Sequence, residues 1–191
     1  MILVLMGVCG CGKSTVGASL ANKLGWTFFD GDDYHPKENR DKMANGIPLT
    51  DQDRIPWLLI LHDIILRELS GGKHAIMACS ALKKFYRELL VFGSDILHLN
   101  PSELQHDLAK EILFVYLHGS MELICKRMAA RKGHFMAASL IQSQFDILEP
   151  PSEDENSITV DIDSGIQEIT AEIDSHTQFN KSSLITILVH I

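Results

Sequence analysis

Apolar residues fall in short, nearly unbroken runs at 2–6, 26–29, 74–79, 112–117 and 158–162. Runs of this length without polar alternation predict strands buried on both faces of a parallel sheet. A weaker run, Ile96–Leu99, predicts a sixth short strand. The stretches between the runs carry helical spacing, and strands that alternate with helices require crossover βαβ units. The predicted fold is therefore α/β, a parallel sheet between two helical layers.

Two stretches read as insertions that cap the sheet. Over about 35–69, Pro36–Ala44 predicts a charged helix with proline at its first position, and Thr50-Asp51-Gln52-Asp53 caps a second helix. That second helix places Ile55, Leu58, Leu59, Leu66 and Leu69 on one buried face. Over about 126–145, Lys126, Arg127, Arg131 and Lys132 gather four positive charges with no acid among them, the pattern of a basic lid. An acidic loop, Pro150–Asn156, precedes the last strand, and a final helix is predicted over Ile166–Asp174. Residues 1–175 then form one domain and 176–191 a tail. Its apolar run, Leu184–Val189, is too short for a membrane and rich in β-formers, so it reads as an extra edge strand or an exposed sticky segment.

Composition narrows the partners. With 191 residues, 46% of them hydrophobic and 22% charged, the chain builds one soluble core. A net charge of −8 argues against nucleic acid, whose affinity comes from Lys and Arg neutralising phosphates. The excess acid lies late: residues 1–132 hold 15 acids and 16 bases, whereas 133–180 hold ten acids and no Lys or Arg. The first two thirds therefore have room for an anion site. Cys9, Cys11, Cys79 and Cys125 lack zinc-site spacing and form no disulfide framework. The apolar start has no basic leader, and no run reaches membrane-spanning length. A cytoplasmic protein without membrane or nucleic-acid partners is expected.

The strongest chemical signal is Gly7-Val8-Cys9-Gly10-Cys11-Gly12-Lys13-Ser14, a G-x-x-x-x-G-K-S loop that follows a strand and opens a helix continuing through Thr15. Its glycines let the backbone turn N–H groups inward, the helix N-terminus adds partial positive charge, and Lys13 reaches the outer phosphates. Ser14 supplies a hydroxyl for Mg²⁺. No acid ends the strands at 74–79 or 112–117, where switch and motor NTPases hold their metal. The acids instead follow the second strand, in Phe29-Asp30-Gly31-Asp32-Asp33-Tyr34-His35-Pro36. Asp30 and Asp32 suit two tasks, orienting a metal-bound water and taking the proton of an attacking hydroxyl, or else simply form an Asx-turn. That placement favours transfer to a small acceptor.

Cys79-Ser80-Ala81-Leu82-Lys83-Lys84-Phe85-Tyr86-Arg87 passes from strand to helix at the sheet edge where ligands bind. Its bases read either as acceptor-binding charge or as a solvated helix face. Arg54 and His35 have the same double reading, and Trp57 and Met43 read as packing before they read as ligand walls.

Taken together, these residues resemble the gluconokinases within the adenylate-kinase-like P-loop kinases. The resemblance runs from Leu3 to about Ile173. It rests on the phosphate loop, the Asp30–Pro36 block, Asn39-Arg40, Asp51–Trp57, Cys79–Lys84, Tyr86-Arg87, Arg131-Lys132-Gly133-His134-Phe135-Met136 and Gln144-Phe145. It implies a three-layer P-loop kinase fold with a five-stranded parallel sheet, a helical acceptor-binding insertion and a basic lid. It also implies transfer of the ATP γ-phosphoryl group, with Mg²⁺, to the 6-hydroxyl of D-gluconate, by a cytoplasmic homodimer that feeds the pentose phosphate route.

By that resemblance Gly7 to Thr15 and Arg127 bind ATP, Ser14 and Asp30 sit at the metal, and Lys13, Asp32 and Arg131 are catalytic. The acceptor falls to Asp32, His35, Arg40, Arg54, Ser80, Lys83, Arg87 and His134. A sugar acid needs both cationic donors for its carboxylate and mixed partners for its hydroxyls, which this set supplies. Two departures stand out: Cys9 and Cys11 occupy loop positions where serine is usual and read either as small fillers that preserve the loop or as oxidant-sensitive thiols, and the tail is unfamiliar. The rival readings are a shikimate or nucleoside-monophosphate kinase and a non-catalytic nucleotide-binding regulator. A GTP switch is disfavoured by the absence of an N-K-x-D motif.

Overall fold

The computed structural model describes residues 1–99, 107–130 and 138–188. Its strands are β1 (Ile2–Met6), β2 (Thr27–Asp30), β3 (Ala75–Ala78), β4 (Ile112–His118) and β5 (Ser157–Asp161). They pair in the order β2-β3-β1-β4-β5, all parallel, with Ile2 opposite both Ala75 and Ile112. The helices are α1 (Lys13–Leu24), α2 (Lys37–Ala44), α3 (Asp51–Ser70), α4 (Lys84–Phe92), α5 (Asp107–Glu111), α6 (Met121–Ala130), α7 (Ala138–Asp146) and α8 (Ile166–Leu188).

The central position of β1 explains its composition. All five residues are buried, and because successive strand side chains point to opposite faces, Leu3 and Leu5 enter one core while Ile2, Val4 and Met6 enter the other. The first core packs Val16 and Leu20 of α1, Ile124 and Met128 of α6, and Ile169 and Ile173 of α8. Across the sheet, Leu58, Leu61 and Ile65 of α3 meet Leu89 and Leu90 of α4. Truncating any of these fully buried leucines to alanine costs about 2–5 kcal/mol.

Local signals set the element ends. Gly25 closes α1 in the left-handed conformation at φ 68, its N–H donating to the Ala21 carbonyl. At the start of α3, Thr50 and Asp53 form a reciprocal capping box, as their spacing predicts. Pro36 takes the N-cap of α2 rather than its first helical position.

Two sequence expectations are corrected. Ile96–Leu99 is not a sixth strand: a 3-10 helix covers Gly93–Leu97, and the backbone N–H groups of His98 and Leu99 both donate to the Asp95 carbonyl. Those local bonds consume the donors that a strand would offer a neighbour. The tail is not an edge strand either, because α8 runs on through Leu188. No glycine or proline interrupts residues 166–188. Ser175 and Thr177 direct their hydroxyls to the carbonyls of Glu172 and Asp174 inside the helix. Once Ile169, Ile173 and Thr177 are buried, extending a formed helix is favoured over local β-propensity.

Candidate active site

The loop between β1 and α1 opens onto a cleft of about 990 Å³ at the C-terminal edge of the sheet. Gly7, at φ 138, anchors the loop by donating to the Ser80 carbonyl at 3.1 Å, and a Cβ there would lie 2.9 Å from the Leu117 carbonyl oxygen. Only glycine fits both constraints. Lys13 curls back over the loop, its Nζ donating to the carbonyls of Gly7 at 2.9 Å and Val8 at 3.1 Å. Val8 and Cys11 are buried, and Cys9, Gly10, Cys11, Gly12, Ser14 and Thr15 line the cleft.

The acids of the second strand meet this loop. Asp30 ends β2; its Oδ2 accepts the Ser14 hydroxyl at 2.6 Å and its Oδ1 accepts the Asp32 backbone N–H at 3.2 Å. One carboxylate thus fixes both the first turn of α1 and the turn that carries Asp32. Ser14 and Asp30 are hard oxygen donors of the kind Mg²⁺ takes beside water and phosphate oxygens, so the pair fits that ion. No cluster of three or more His, Cys, Asp or Glu able to hold a metal occurs among the described residues.

Asp32 stands in the cleft with 84% of its side chain accessible. Enclosure by the cleft walls nevertheless raises its carboxyl above the ordinary value, with Lys13 opposing and Asp30 and Asp33 reinforcing the shift. Accessibility and elevation coexist because water touches the carboxylate while protein occupies the wider surroundings that set its solvation.

Beyond Asp32 the cleft changes character. His35 is buried and stacks on Trp57, ring centroids 4.0 Å apart at 19°. Burial, with Arg54 and Arg40 nearby, lowers its pKa to about 4, so the ring is neutral at physiological pH. Trp57 donates from Nε1 to the Gly31 carbonyl at 2.8 Å, which ties α3 to the acidic turn. Arg54 faces the same space, anchored on the Leu49 carbonyl and lying 5.5 Å from the Tyr86 ring centre. Trp57 and Met43, read from sequence mainly as packing, both line the cleft.

The basic run after β3 is a correction. Lys83 pairs with both Asp51 oxygens at 2.9 Å, and Lys84 with Asp154 at 2.7 Å. Arg87 is 1% exposed, with Glu155 held at 2.5 and 2.8 Å and the carbonyls of Ala81 and Glu149 at 3.1 and 2.9 Å. The Glu149 carboxylate also takes the Lys84 backbone N–H at 2.7 Å, so an internal carboxylate occupies the start of α4. Ser80 alone of this segment lines the cleft; Arg87 is a buried clamp with four of its five N–H donors committed to Glu155 and two carbonyls, and Lys83, Arg87 and the exposed Arg40 all lie off the lining.

Arg127 sits over the loop, donating to the carbonyls of Cys11 at 3.5 Å and Ile162. Arg131 and His134 lie outside the described residues. Two contributors were given no role from sequence. Gln144 of α7, from the Gln144-Phe145 block, accepts the Cys9 N–H at 2.7 Å, and Ser164, Gly165 and Ile166 after β5 form part of the cleft wall. The second group had a signal, the turn-forming Asp163-Ser164-Gly165 just past a strand at the ligand-binding edge.

A parallel sheet of this order, with a phosphate loop after its central strand, defines a P-loop kinase. A shikimate kinase family profile matches residues 9–174. A probable gluconokinase of Mus musculus is 55% identical over 178 residues, covering 90% of this chain and 95% of the relative. The thermoresistant gluconokinase of Escherichia coli K12 is 42% identical, with 89% of each chain covered. A crystal structure of a gluconokinase from Sinorhizobium meliloti 1021 superimposes with a TM-score of 0.78 at 36% identity, covering 96% of this chain and 95% of that one. The chain belongs to the gluconokinase family of shikimate-kinase-like phosphotransferases.

Proposed function

We propose that this protein transfers the γ-phosphoryl group of ATP to the 6-hydroxyl of D-gluconate, giving 6-phospho-D-gluconate and ADP. The observation that carries the reading is the convergence of Lys13, the Ser14–Asp30 pair and Asp32 on one cleft, in a chain 55% identical to a probable gluconokinase. The loop amides and Lys13 hold the phosphates. Ser14 and Asp30 would hold Mg²⁺, which neutralises phosphate charge when bound.

Asp32 accepts the proton of the 6-hydroxyl as that oxygen bonds to phosphorus and the bond to the ADP oxygen breaks. Arg127 adds positive charge on the far side of the loop, where charge spreads over the transferring group. Arg54, His35 and Ser80 supply donors for the carboxylate and hydroxyls of the acceptor. Arg131 and His134 complete this reading from the family motif.

On the same reading the enzyme works in the cytoplasm as a homodimer; no helix among the described residues is long and apolar enough to cross a membrane. Light scattering at micromolar concentration checks the dimer. The deciding experiment is an acceptor panel with coupled ADP detection across gluconate, shikimate and nucleoside monophosphates. Gluconate-dependent ADP release is expected, and turnover with another acceptor alone, or with none, overturns the proposal.

A further inference from the structure

His35 carries two ring nitrogens, and which one holds the proton decides what the ring offers the cleft. The structure fixes this through a residue no part of the mechanism has used. Asn39 of α2 is 3% exposed. Its Nδ2 lies 2.7 Å from the Asp53 backbone carbonyl and 3.5 Å from His35 Nδ1. A carbonyl oxygen only accepts, so the atom facing it must be the amide NH₂ and not the amide oxygen. The same NH₂ therefore presents its second hydrogen to His35 Nδ1, which has to accept it.

With Nδ1 acting as acceptor, the proton of the neutral ring resides on Nε2. That atom lies 3.8 Å from Asp32 Oδ1. The gap exceeds a hydrogen bond, yet catalytic contacts commonly tighten only around bound reactants. The ring cannot rotate freely to change the assignment, because Trp57 stacks on its face and is itself tied to Gly31. Burial, reinforced by Arg54 and Arg40, leaves the ring neutral at physiological pH even with the Asp32 carboxylate 3.8 Å from Nε2.

We propose that Asn39 is a positioning residue that locks His35 as the Nε2–H tautomer, so that the ring aims its single N–H at Asp32 and the acceptor hydroxyl that Asp32 serves. The catalytic part of this inference rests on the gluconate reading above; the tautomer does not. Held by that N–H, one Asp32 oxygen is oriented and the other is left to take the hydroxyl proton. An imidazole in the opposite tautomer would face the carboxylate with a lone pair and push it away.

The test starts with the wild-type protein. Two-bond ¹H–¹⁵N spectra of histidine-labelled enzyme at neutral pH should show His35 as the Nε2–H form, and an Nδ1–H or doubly protonated ring overturns the proposal without reference to any substrate. Asn39→Asp, which faces Nδ1 with an acceptor, should switch the ring to Nδ1–H or imidazolium and lower kcat at least tenfold with the KM for ATP unchanged. An unaltered ring in a folded Asn39→Asp protein also overturns it. His35→Gln, whose amide nitrogen reproduces the Nε2 donor, should keep at least ten times the kcat of His35→Leu; equal loss in both sinks the role assigned to that N–H.

Discussion

The Ser14 hydroxyl donates to Asp30 Oδ2 at 2.6 Å, joining the first turn after the phosphate loop to the end of an edge strand two positions away in the sheet. The contact makes Asp30 part of the nucleotide end of the cleft, although its strand belongs to the acceptor side. Asp30→Asn should keep the fold and raise the Mg²⁺ concentration needed for half-maximal turnover by about 10–100-fold, as loss of a metal's supporting carboxylate does. A magnesium titration of turnover checks this, and an unchanged requirement removes Asp30 from the metal.

Asp32 should set the acid limb of the reaction. The base must be ionised, and cleft enclosure holds its carboxyl above the ordinary 3.8. Activity is therefore full above that raised pKa and falls as pH drops through it, so kcat/KM should bend at a pH higher than 3.8. Asp32→Asn should lower kcat by about 10²–10⁴ while ATP binding persists. A variant with near-normal turnover would show that the hydroxyl loses its proton elsewhere.

Arg87 should govern stability rather than acceptor affinity. Removing one partner of a buried ion pair costs about 3–5 kcal/mol, so Arg87→Ala should lower the urea midpoint strongly while gluconate KM in the folded fraction stays close to wild type. Arg87→Lys cannot reproduce two bonds to Glu155 together with two to carbonyls, and should recover only part of the loss. Burial works to raise the Glu155 carboxyl, but the bonds from Arg87 and Ser152 hold it below its ordinary 4.5. A depressed carboxyl stabilises the fold above its unfolded value and ceases to do so as pH falls through the folded one. Acid unfolding should therefore lose a component in Arg87→Ala.

The four thiols should divide by burial. Cys79 is buried, its pKa pushed up to about 12 by loss of solvation, and Cys11 is 1% exposed under the loop. Cys9 and Cys125 are partly exposed, and Cys9 lines the cleft. Brief alkylation of the native protein should mark Cys9 and Cys125 first, and ATP should protect Cys9. Peptide mass mapping reads the order; modification of Cys79 ahead of Cys9 would contradict it.

Periodicity and motif spacing made the central architecture legible, because β1, the phosphate loop and α1 are specified within 24 consecutive residues. Asp30 and Asp32 were readable for the same reason, since a short turn after a strand leaves few places for its acids to go. Arg87 was misread because its partners are remote: Glu149 lies 62 residues away and Glu155 68, in a loop that looked like acidic surface. Counting charge along the chain cannot see that Lys83, Lys84 and Arg87 each close on a different acid. The edge-strand reading of the tail failed because it weighted β-branched residues over the absence of any helix stop. Asn39 and Gln144 stood in motif blocks but with no role assigned, and only packing reveals which backbone groups and rings they address.

The odd and even residues of β1 feed separate cores, and the strand runs into the phosphate loop at Gly7 with no slack between them. Changes of side chain in this strand alter one core at a time. A single residue inserted or deleted between Ile2 and Gly7 would exchange the two sets wholesale and rotate the loop by half a pleat, so length, more than chemistry, is what this segment cannot vary.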